Sequence, residues 1–319
     1  MINKIDEDMY KKWMKQEVDK GTILITSEAP FGELLYWDSG DKIVLSQRLF
    51  GLKVKKEYNP KYIYYYMYTS SFQGELSGRA TGSTVTGLRQ PELLKCHLKV
   101  PSRKVQDRIA NILTCIDKKI DLNNKINNNL YEMQKCYFGE IFKEKEYYEI
   151  RLDDLFMVSA GGDAPKDKKE LSSDEYKYPI VSNGIENEGI YGYSKEYKID
   201  KKSVTISARG TIGYKVLRNY NYYPIVRLIS VIPKDDSISS EYLFYALDDI
   251  QILGTGTTQQ QLTVPMVKDI KIKVYDVDLI KKFTDYSISL NKKIDNNKIE
   301  NKRLEELRDT LLPKLMNGE

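Results

Sequence analysis

Each half of the sequence contains two polar loops that include glycine together with Ser, Thr, Arg or Gln. The first pair is Ser27–Gly32 and Arg79–Thr84, and the second is Ser207–Gly213 and Gly254–Gln261. Glycine lets the backbone approach a ligand closely, and hydroxyl and amide hydrogens can hold phosphates. Arg and Gln side chains can form paired hydrogen bonds with the edges of guanine and adenine. The loops therefore favour contacts with nucleic acid, and ordinary turn chemistry is the alternative interpretation of each loop.

Residues for catalysis are scarce. The single histidine, His97, lies in the alternating segment Cys96–Val100, which predicts a strand with His97 facing solvent. His97 is therefore the one histidine that a Ser-His-Asp triad or a Cys-His pair could use. The three cysteines are not at zinc-ligand spacing, so no structural metal is expected.

One short motif requires separate consideration. Asn59-Pro60-Lys61-Tyr62 is similar to the Asn-Pro-Pro-Tyr loop with which adenine methyltransferases hold a flipped base. An Asn followed by Pro is also the expected start of a helix. The corresponding Ser239–Tyr242 is a second helix start, and no glycine-rich cofactor loop follows a strand. We therefore interpret Asn59 as a helix cap.

The elements that position these loops occur twice. The stretch from Gly82 to Phe142 recurs from Gly256 to Met316, and Pro91 corresponds to Pro265, a shift of 265 − 91 = 174 residues. Each half runs from a β-rich region through a short aromatic helix and a Gly-Thr loop to a strand and one long helix. Because solenoid units are about 20–50 residues long, this period indicates a duplicated domain. A duplicated domain suggests a two-part target.

Both halves end in a helix with heptad spacing. A helix of about 38 residues is roughly 57 Å long and needs a partner to be stable, and the other copy is the simplest one. Asparagines occupy the same two seam positions in both copies and would fix the register of a coiled coil. They are Asn123, Asn127, Asn297 and Asn301. The alternative is a solvated stretch in which the pairing is broken.

Composition is that of a globular protein, with 319 residues, 41% hydrophobic residues, 30% charged residues and a net charge of +4. No run approaches the ~20 apolar residues of a membrane span, and residues 1–6 lack the apolar core of a signal peptide. We expect a cytoplasmic location. The 25 tyrosines are explained by strand packing or by contacts with DNA.

The order and repetition of several segments resemble the DNA-specificity subunit of type I restriction-modification systems. The resemblance covers essentially the whole chain. The segments that carry it are Gly21–Gly32, Leu45–Arg48, Gly82–Arg89, Pro101–Ile120, Ser207–Gly213 and Gly256–Leu262.

The resemblance implies an α+β fold with two β-rich target-recognition domains, separated by two long helices that pair as an antiparallel coiled coil. The expected domains are 1–100 and 146–274, with spacer helices at 101–145 and 275–319. The first domain is expected to be abbreviated, because only about 20 residues precede Gly21, whereas about 55 residues lie between the start of the second domain near Glu146 and the equivalent Lys202.

The resemblance also implies a function without catalysis by this chain. Each recognition domain would read one half of a split site in double-stranded DNA. Adenine methylation and cleavage would belong to methyltransferase subunits, of which two are expected, and to restriction or translocase subunits. S-adenosylmethionine, ATP and Mg²⁺ would bind to those partners, and no cofactor is expected in this chain.

On this interpretation, polar residues on and beside the loops are the candidate DNA contacts. In the second domain they are Asn183, Arg209, Thr211, Thr257, Thr258, Gln259 and Gln260. In the first domain they are Glu28, Gln47, Arg48, Arg79, Ser83, Thr84 and Arg89. Three alternatives remain open: a homodimer that uses only the second domain, a defective subunit that sequesters a methyltransferase, and a purely structural scaffold.

Overall fold

The computed structural model describes residues 5–14, 16–82, 87–248, 250–252, 254 and 260–318. It divides into two units, with unit 1 comprising residues 1–125 and 296–319 and unit 2 comprising residues 126–295. The division falls inside the two long helices, and the domain limits expected from the sequence stay a prediction. Five candidate contacts lie outside the described residues: Ser83, Thr84, Thr257, Thr258 and Gln259.

The described residues of unit 1 form short helices and three strands, followed by the first part of a long helix. Its elements are α1 Glu7–Trp13, β1 Ile23–Thr26, β2 Leu34–Tyr36, β3 Leu49–Leu52, α2 Pro60–Met67, α3 Ser70–Gly78, α4 Gln90–Leu93 and the start of α5 Arg103–Ile141. The central strand β1 pairs antiparallel with both β2 and β3. Its Ile23 and Ile25 are buried against Tyr62, Leu76 and Leu113, which form the core.

Unit 2 is richer in strands. Its elements after α5 are β4 Tyr148–Arg151, α6 Leu152–Leu155, β5 Phe156–Ala160, β6 Tyr178–Val181, a 3₁₀ helix Glu186–Gly189, β7 Ile190–Ser194, β8 Ser203–Ser207, β9 Lys215–Arg218, β10 Tyr223–Pro224, β11 Leu228–Pro233, α7 Ser240–Ala246, α8 Val264–Lys268, β12 Lys271–Val274 and α9 Val277–Asn317. Strands β5, β11, β8 and β9 form an antiparallel sheet in that order. Strands β10, β6 and β7 form a mixed sheet, in which β10 is parallel and β7 antiparallel to β6. Val204, Ile206 and Val231 from the first sheet are fully buried with Tyr242 and Phe283.

The aromatic helices α2 and α7 begin as the repeat predicts. The Asn59 Oδ1 accepts hydrogen bonds from the amides of Lys61 at 2.9 Å and Tyr62 at 3.1 Å. The Asn59 amide group also donates to Asp107 at 2.6 Å. In α7 the Ser239 hydroxyl accepts from the Tyr242 amide at 3.0 Å. The interpretation of Asn59 as a helix cap is confirmed.

The prediction of a strand at Cys96–Val100 was wrong. Its repeat counterpart is β12, which pairs antiparallel with β4. Among the residues that the structure describes, no strand lies beside Cys96–Val100, and this segment has no regular secondary structure. A strand requires a neighbour to satisfy its backbone groups, so the same pattern forms a strand only in unit 2. His97 is nevertheless exposed, as expected.

The long helices α5 and α9 pack against each other in each unit, and they run antiparallel. In unit 1, Asp117 pairs with Arg308 at 3.1 Å. In unit 2, the Tyr137 and Phe283 rings stack with their centroids 6.2 Å apart. Both this pairing and the α+β fold class are confirmed. In the part of the chain that the structure describes, no helix is both long and apolar enough to cross a membrane.

Candidate nucleic-acid interface

In unit 2, three separate segments meet at the end of β8. The Ala208 amide donates to the Arg227 carbonyl at 2.9 Å, and the Leu262 amide donates to the Ala208 carbonyl at 2.9 Å. The loop that follows is closed by the Gly213 amide, which donates to the Ser207 carbonyl at 3.1 Å. Gly213 has a φ of +83°, which glycine adopts without a Cβ clash. Main-chain bonds therefore fix the loop predicted at Ser207–Gly213.

Side chains add a second set of bonds to this frame. Asn183 donates from Nδ2 to the Arg209 carbonyl at 2.9 Å, while the Ser207 hydroxyl donates to the Asn183 carbonyl at 3.0 Å. The Arg209 Nε donates to the Gln261 Oε1 at 2.9 Å, and its Nη2 donates to the same oxygen. Asn183 therefore supports the loop backbone, and Gln261 holds the Arg209 guanidinium in one orientation.

A cavity of about 480 Å³ opens beside these residues. It is lined by Arg209, Gly210, Ile212, Arg227 and Gln260. Two guanidinium groups thus share one concave surface, and no carboxylate is among these lining residues. Arg and Gln are the side chains that pair with guanine and adenine edges. The structure brings together two predicted residues, Arg209 and Gln260, and the predicted Thr211 is exposed on the same loop.

Sequence reasoning missed Arg227. The structure places it through the bond between its carbonyl and the Ala208 amide, two residues that are 19 positions apart in the chain (227 − 208 = 19). Arg227 has a φ of +71°, a left-handed conformation that is uncommon for a residue with a Cβ. The signal that could have found it is the similarity of Arg227-Leu228 to Arg48-Leu49, upstream of the ungapped repeat.

Unit 1 has the same main-chain frame. The Ser27 amide donates to the Arg48 carbonyl at 2.8 Å, and the Leu88 amide donates to the Ser27 carbonyl at 2.9 Å. The Gly32 amide donates to the Thr26 carbonyl at 3.0 Å and closes the loop as Gly213 does. Ser27, Arg48 and Leu88 are therefore the structural counterparts of Ala208, Arg227 and Leu262.

The side chains on that frame differ between the units. Glu28 occupies the position that Arg209 has in unit 2, and its carboxylate pairs with the Arg48 Nε at 2.9 Å. Gln47, next to Arg48, is exposed, and so is Arg89 at the N-terminus of α4. The structure thus brings Glu28 and Arg48 into direct contact, while unit 2 has two arginines at the matched positions.

Arg79 has a different environment. Its guanidinium pairs with the Glu75 carboxylate at 2.8 Å and lies 3.9 Å from the Glu92 carboxylate. The Arg79 side chain is therefore already paired within unit 1. Glu75 also accepts hydrogen bonds from the His97 amide at 2.9 Å and lies 3.0 Å from the His97 ring. The bonds from the His97 amide and ring and from Arg79 lower the pKa of Glu75 to about 2. Arg79 therefore connects α3 with α4, and Glu75 connects α3 with the segment after α4.

The predicted asparagine positions lie on the paired helices. Asn123 is 1% exposed and donates to Asn301 at 2.8 Å within unit 1, so the alternative of a solvated stretch is wrong there. Asn301 in turn donates to Asn124 at 2.8 Å. Asn297 is half-buried on α9, and Asn127 is buried on the part of α5 that belongs to unit 2.

Comparison with known proteins decides the family. Residues 3–132 and 144–307 match the type I restriction modification DNA specificity domain. The chain belongs to this family. The two matches are separated at the end of α5 and stop before the end of α9, which agrees with a specificity domain that is present twice. The family resemblance expected from the sequence is confirmed.

Relatives in this family come from bacteria and archaea. A protein of Mycoplasma pneumoniae named as a type I specificity subunit is 30% identical, and the match covers 78% of each chain. The MjaIX specificity subunit of Methanocaldococcus jannaschii is 26% identical over 99% of this chain and 81% of its own. The crystal structure of an S subunit from M. genitalium has the same fold, with a TM-score of 0.56, 20% identity and coverage of 93% and 83%.

Proposed function

We propose that this specificity-family chain directs type I adenine methyltransferase and restriction subunits to a bipartite DNA site, and that each unit reads one half of that site. Methylation and cleavage would be carried out by two methyltransferase subunits and by restriction subunits. S-adenosylmethionine, ATP and Mg²⁺ would bind to those partners. This chain would supply sequence recognition and the spacing between the half-sites.

The observation that carries this proposal is the repeated main-chain frame with different side chains on it. The same amide-to-carbonyl bonds form around Ser27 and around Ala208. Base identity is read by side chains in the grooves, whereas backbone groups and phosphates fix orientation. A shared frame with Glu28 in one unit and Arg209 in the other therefore fits a protein that reads two different half-sites.

The surfaces of the long helices support docking of protein partners. Several large apolar side chains on them are exposed, although the opposite faces of the same helices are buried. In unit 1 they are Val105, Leu122, Ile299 and Leu307, and in unit 2 they are Met133 and Ile288. Exposed apolar side chains favour a protein interface where they form a continuous patch. We assign this surface to the methyltransferase subunits.

The test is to coexpress the chain with the methyltransferase subunit encoded beside it and to map N6-methyladenine by long-read sequencing. A split, asymmetric motif is expected. A symmetric motif would contradict the assignment of one half-site to each unit and would indicate dimers that use one unit. Copurification without methylation would instead support a sequestering protein. Absence of both methylation and copurification would overturn the proposal.

A second measurement separates a DNA-binding subunit from a structural scaffold. Contacts with phosphates release counterions, so the DNA affinity of the complex should fall steeply as salt rises. A logarithmic plot of affinity against salt concentration should be linear with a negative slope. A flat plot, with weak binding at every salt concentration, would support the scaffold alternative.

A further inference from the structure

We propose that Arg227 with Arg209 in unit 2, and Glu28 with Arg48 in unit 1, are matched base-reading pairs with opposite hydrogen-bonding character. The unit 2 pair takes guanine, which presents only acceptors in the major groove, and the unit 1 pair takes a cytosine amino group through Glu28. This inference rests on the proposed function and adds the class of base that each unit reads.

The equivalence of the two pairs follows from main-chain bonds. Arg48 and Arg227 each accept, through the carbonyl, the amide of the residue before Glu28 or Arg209, at 2.8 and 2.9 Å. Glu28 and Arg209 are the next residues along the chain, so the same main-chain hydrogen bonds place each pair. The side chains differ between the units, and the backbone differs at the arginine, since Arg227 has a positive φ and Arg48 does not.

Charge then separates the two sites. In unit 2 the cavity is lined by Arg209 and Arg227 with Gln260, a group dominated by hydrogen-bond donors. In unit 1 the Glu28 carboxylate accepts from the Arg48 Nε at 2.9 Å and is 37% exposed, which leaves acceptor capacity on its outer side. A surface of donors suits the O6 and N7 acceptors of guanine, and an exposed carboxylate suits the N4 amino group of cytosine.

The backbone at Arg227 provides independent support. Its φ of +71° is strained for a residue with a Cβ, and such residues cluster at ligand-binding sites. A glycine would adopt this conformation without strain. Among the described residues, the Arg227 side chain has no hydrogen-bond or ion-pair partner, and the residue is exposed. An exposed, unpaired arginine on a strained backbone is better explained by an external ligand than by folding.

Arg209 has a complementary role. Two of its nitrogens donate to Gln261, which fixes the plane of the guanidinium before DNA binds. Preorganised donors lose less side-chain entropy on binding. Arg209 is thus the oriented member of the pair, and Arg227 is the member free to approach a base edge.

The experiment uses the complex with the methyltransferase subunit. The motif of the wild type is mapped first, and methylation rates are then compared on duplexes that differ at one guanine of the half-site read by unit 2. Arg227→Gln should reduce the preference for guanine at one position about 10- to 100-fold, and it should leave the other half-site unchanged. Arg227→Lys should reduce it too, because Lys keeps the charge but loses the planar fork.

The matched test in unit 1 is Glu28→Gln, which should relax the preference for cytosine at one position of the other half-site by a similar factor. Lys281→Gln is the control, since Lys281 is exposed on α9 and does not line the cavity. This control should remove one positive charge from unit 2 without changing the motif.

Failure of the proposed function and failure of the base-reading pairs give different methylation results. If the wild-type complex methylates no split motif, the proposed function fails. If the wild type has a split motif but Arg227→Gln lowers methylation equally on all bases, Arg227 contacts phosphate and this inference fails. Arg227→Gly is the control for loss of folding. Its melting temperature should equal or exceed that of the wild type, while the guanine preference is lost.

Discussion

Asn123 and Asn301 are hydrogen-bonded to each other in the buried seam between α5 and α9 of unit 1, with 2.8 Å between Nδ2 and Oδ1. Asn123 also donates to Glu300 at 2.8 Å. Buried polar groups of this kind cost free energy when their partner is removed, and in paired helices they fix register. The bond therefore links the repeat in the sequence to the alignment of the two helices in this unit.

Asn123→Leu should destabilise unit 1. The substitution leaves the Asn301 amide oxygen buried without its donor, which costs about 1–3 kcal/mol. The double variant Asn123→Leu with Asn301→Leu should recover much of that loss, because an apolar pair needs no hydrogen bond. Urea unfolding of the four proteins of the double-mutant cycle measures the coupling.

Asn128→Leu, at an exposed position of the same helix, is the control and should change the free energy of unfolding little. If the loss of unfolding free energy in the double variant equals the sum of the losses in the two single variants, the two asparagines do not interact directly.

Arg218→Met should destabilise unit 2 strongly. Arg218 is 1% exposed and donates to the Glu188 carbonyl at 2.6 Å, to Thr205 at 3.1 Å and to Tyr220 at 2.8 Å. Removing it takes the donor from the buried Thr205 hydroxyl and from the half-buried Glu188 and Tyr220, so the loss should be about 3 kcal/mol or more. Thermal unfolding followed by circular dichroism measures it.

The control for that variant is Lys201→Met, which removes an exposed charge just before β8. A loss for Arg218→Met no larger than for this control would show that the buried bonds do not stabilise the 3₁₀ helix Glu186–Gly189.

Arg209→Ala should weaken recognition of one half-site only. The guanidinium lines the cavity of unit 2, and loss of a paired contact with a base costs about 1–3 kcal/mol. Methylation rates on duplexes with altered half-sites measure the effect. Gln261→Ala should have a smaller effect of the same kind, because it frees the arginine without removing it. Unchanged binding and an unchanged motif in Arg209→Ala would refute its role.

Glu75→Gln should change the acid stability of unit 1. Hydrogen bonds from the His97 amide, the His97 ring and Arg79 lower the pKa of Glu75 to about 2 in the folded state. Because that value is below the ordinary pKa of about 4.3 in an unfolded chain, the carboxylate stabilises the fold above about pH 4.3. This contribution is lost as the pH falls towards 2.

Melting temperatures measured across that range check the expectation. The gap between the wild type and Glu75→Gln should narrow as the pH falls. Glu57→Gln is the control, since Glu57 is exposed in the same unit. A gap that stays constant with pH would mean that the ionised carboxylate of Glu75 contributes nothing to stability.

Local features could be predicted from the sequence because they depend on neighbouring residues. Asn59 and Ser239 cap their helices through amides two or three residues away. The spacing of apolar residues similarly defined the two long helices and placed Asn123 and Asn301 in their seam. The caps, and the face of its own helix on which each asparagine lies, need only helical geometry, which the local sequence specifies.

Other features could not be predicted because they require distant segments. The segment Cys96–Val100 has the alternation of a strand, but only β12 in unit 2 has a neighbouring strand to pair with. Arg79 looked available for DNA, yet Glu92 from α4 approaches it within unit 1, in addition to its near neighbour Glu75. Strand pairing and ion pairs depend on which segments the fold brings together.

The sequence by itself determined the duplication, the family resemblance, the long paired helices and the loops at Ser27–Gly32 and Ser207–Gly213. Tertiary structure alone decided that Arg227 joins Arg209 at one cavity and that Arg48 meets Glu28 at the matching place. The physical reason is that main-chain hydrogen bonds between segments far apart in the chain place the two residues of each pair beside each other. Such bonds leave no periodic signal in the sequence, and only the folded backbone brings the charged groups together.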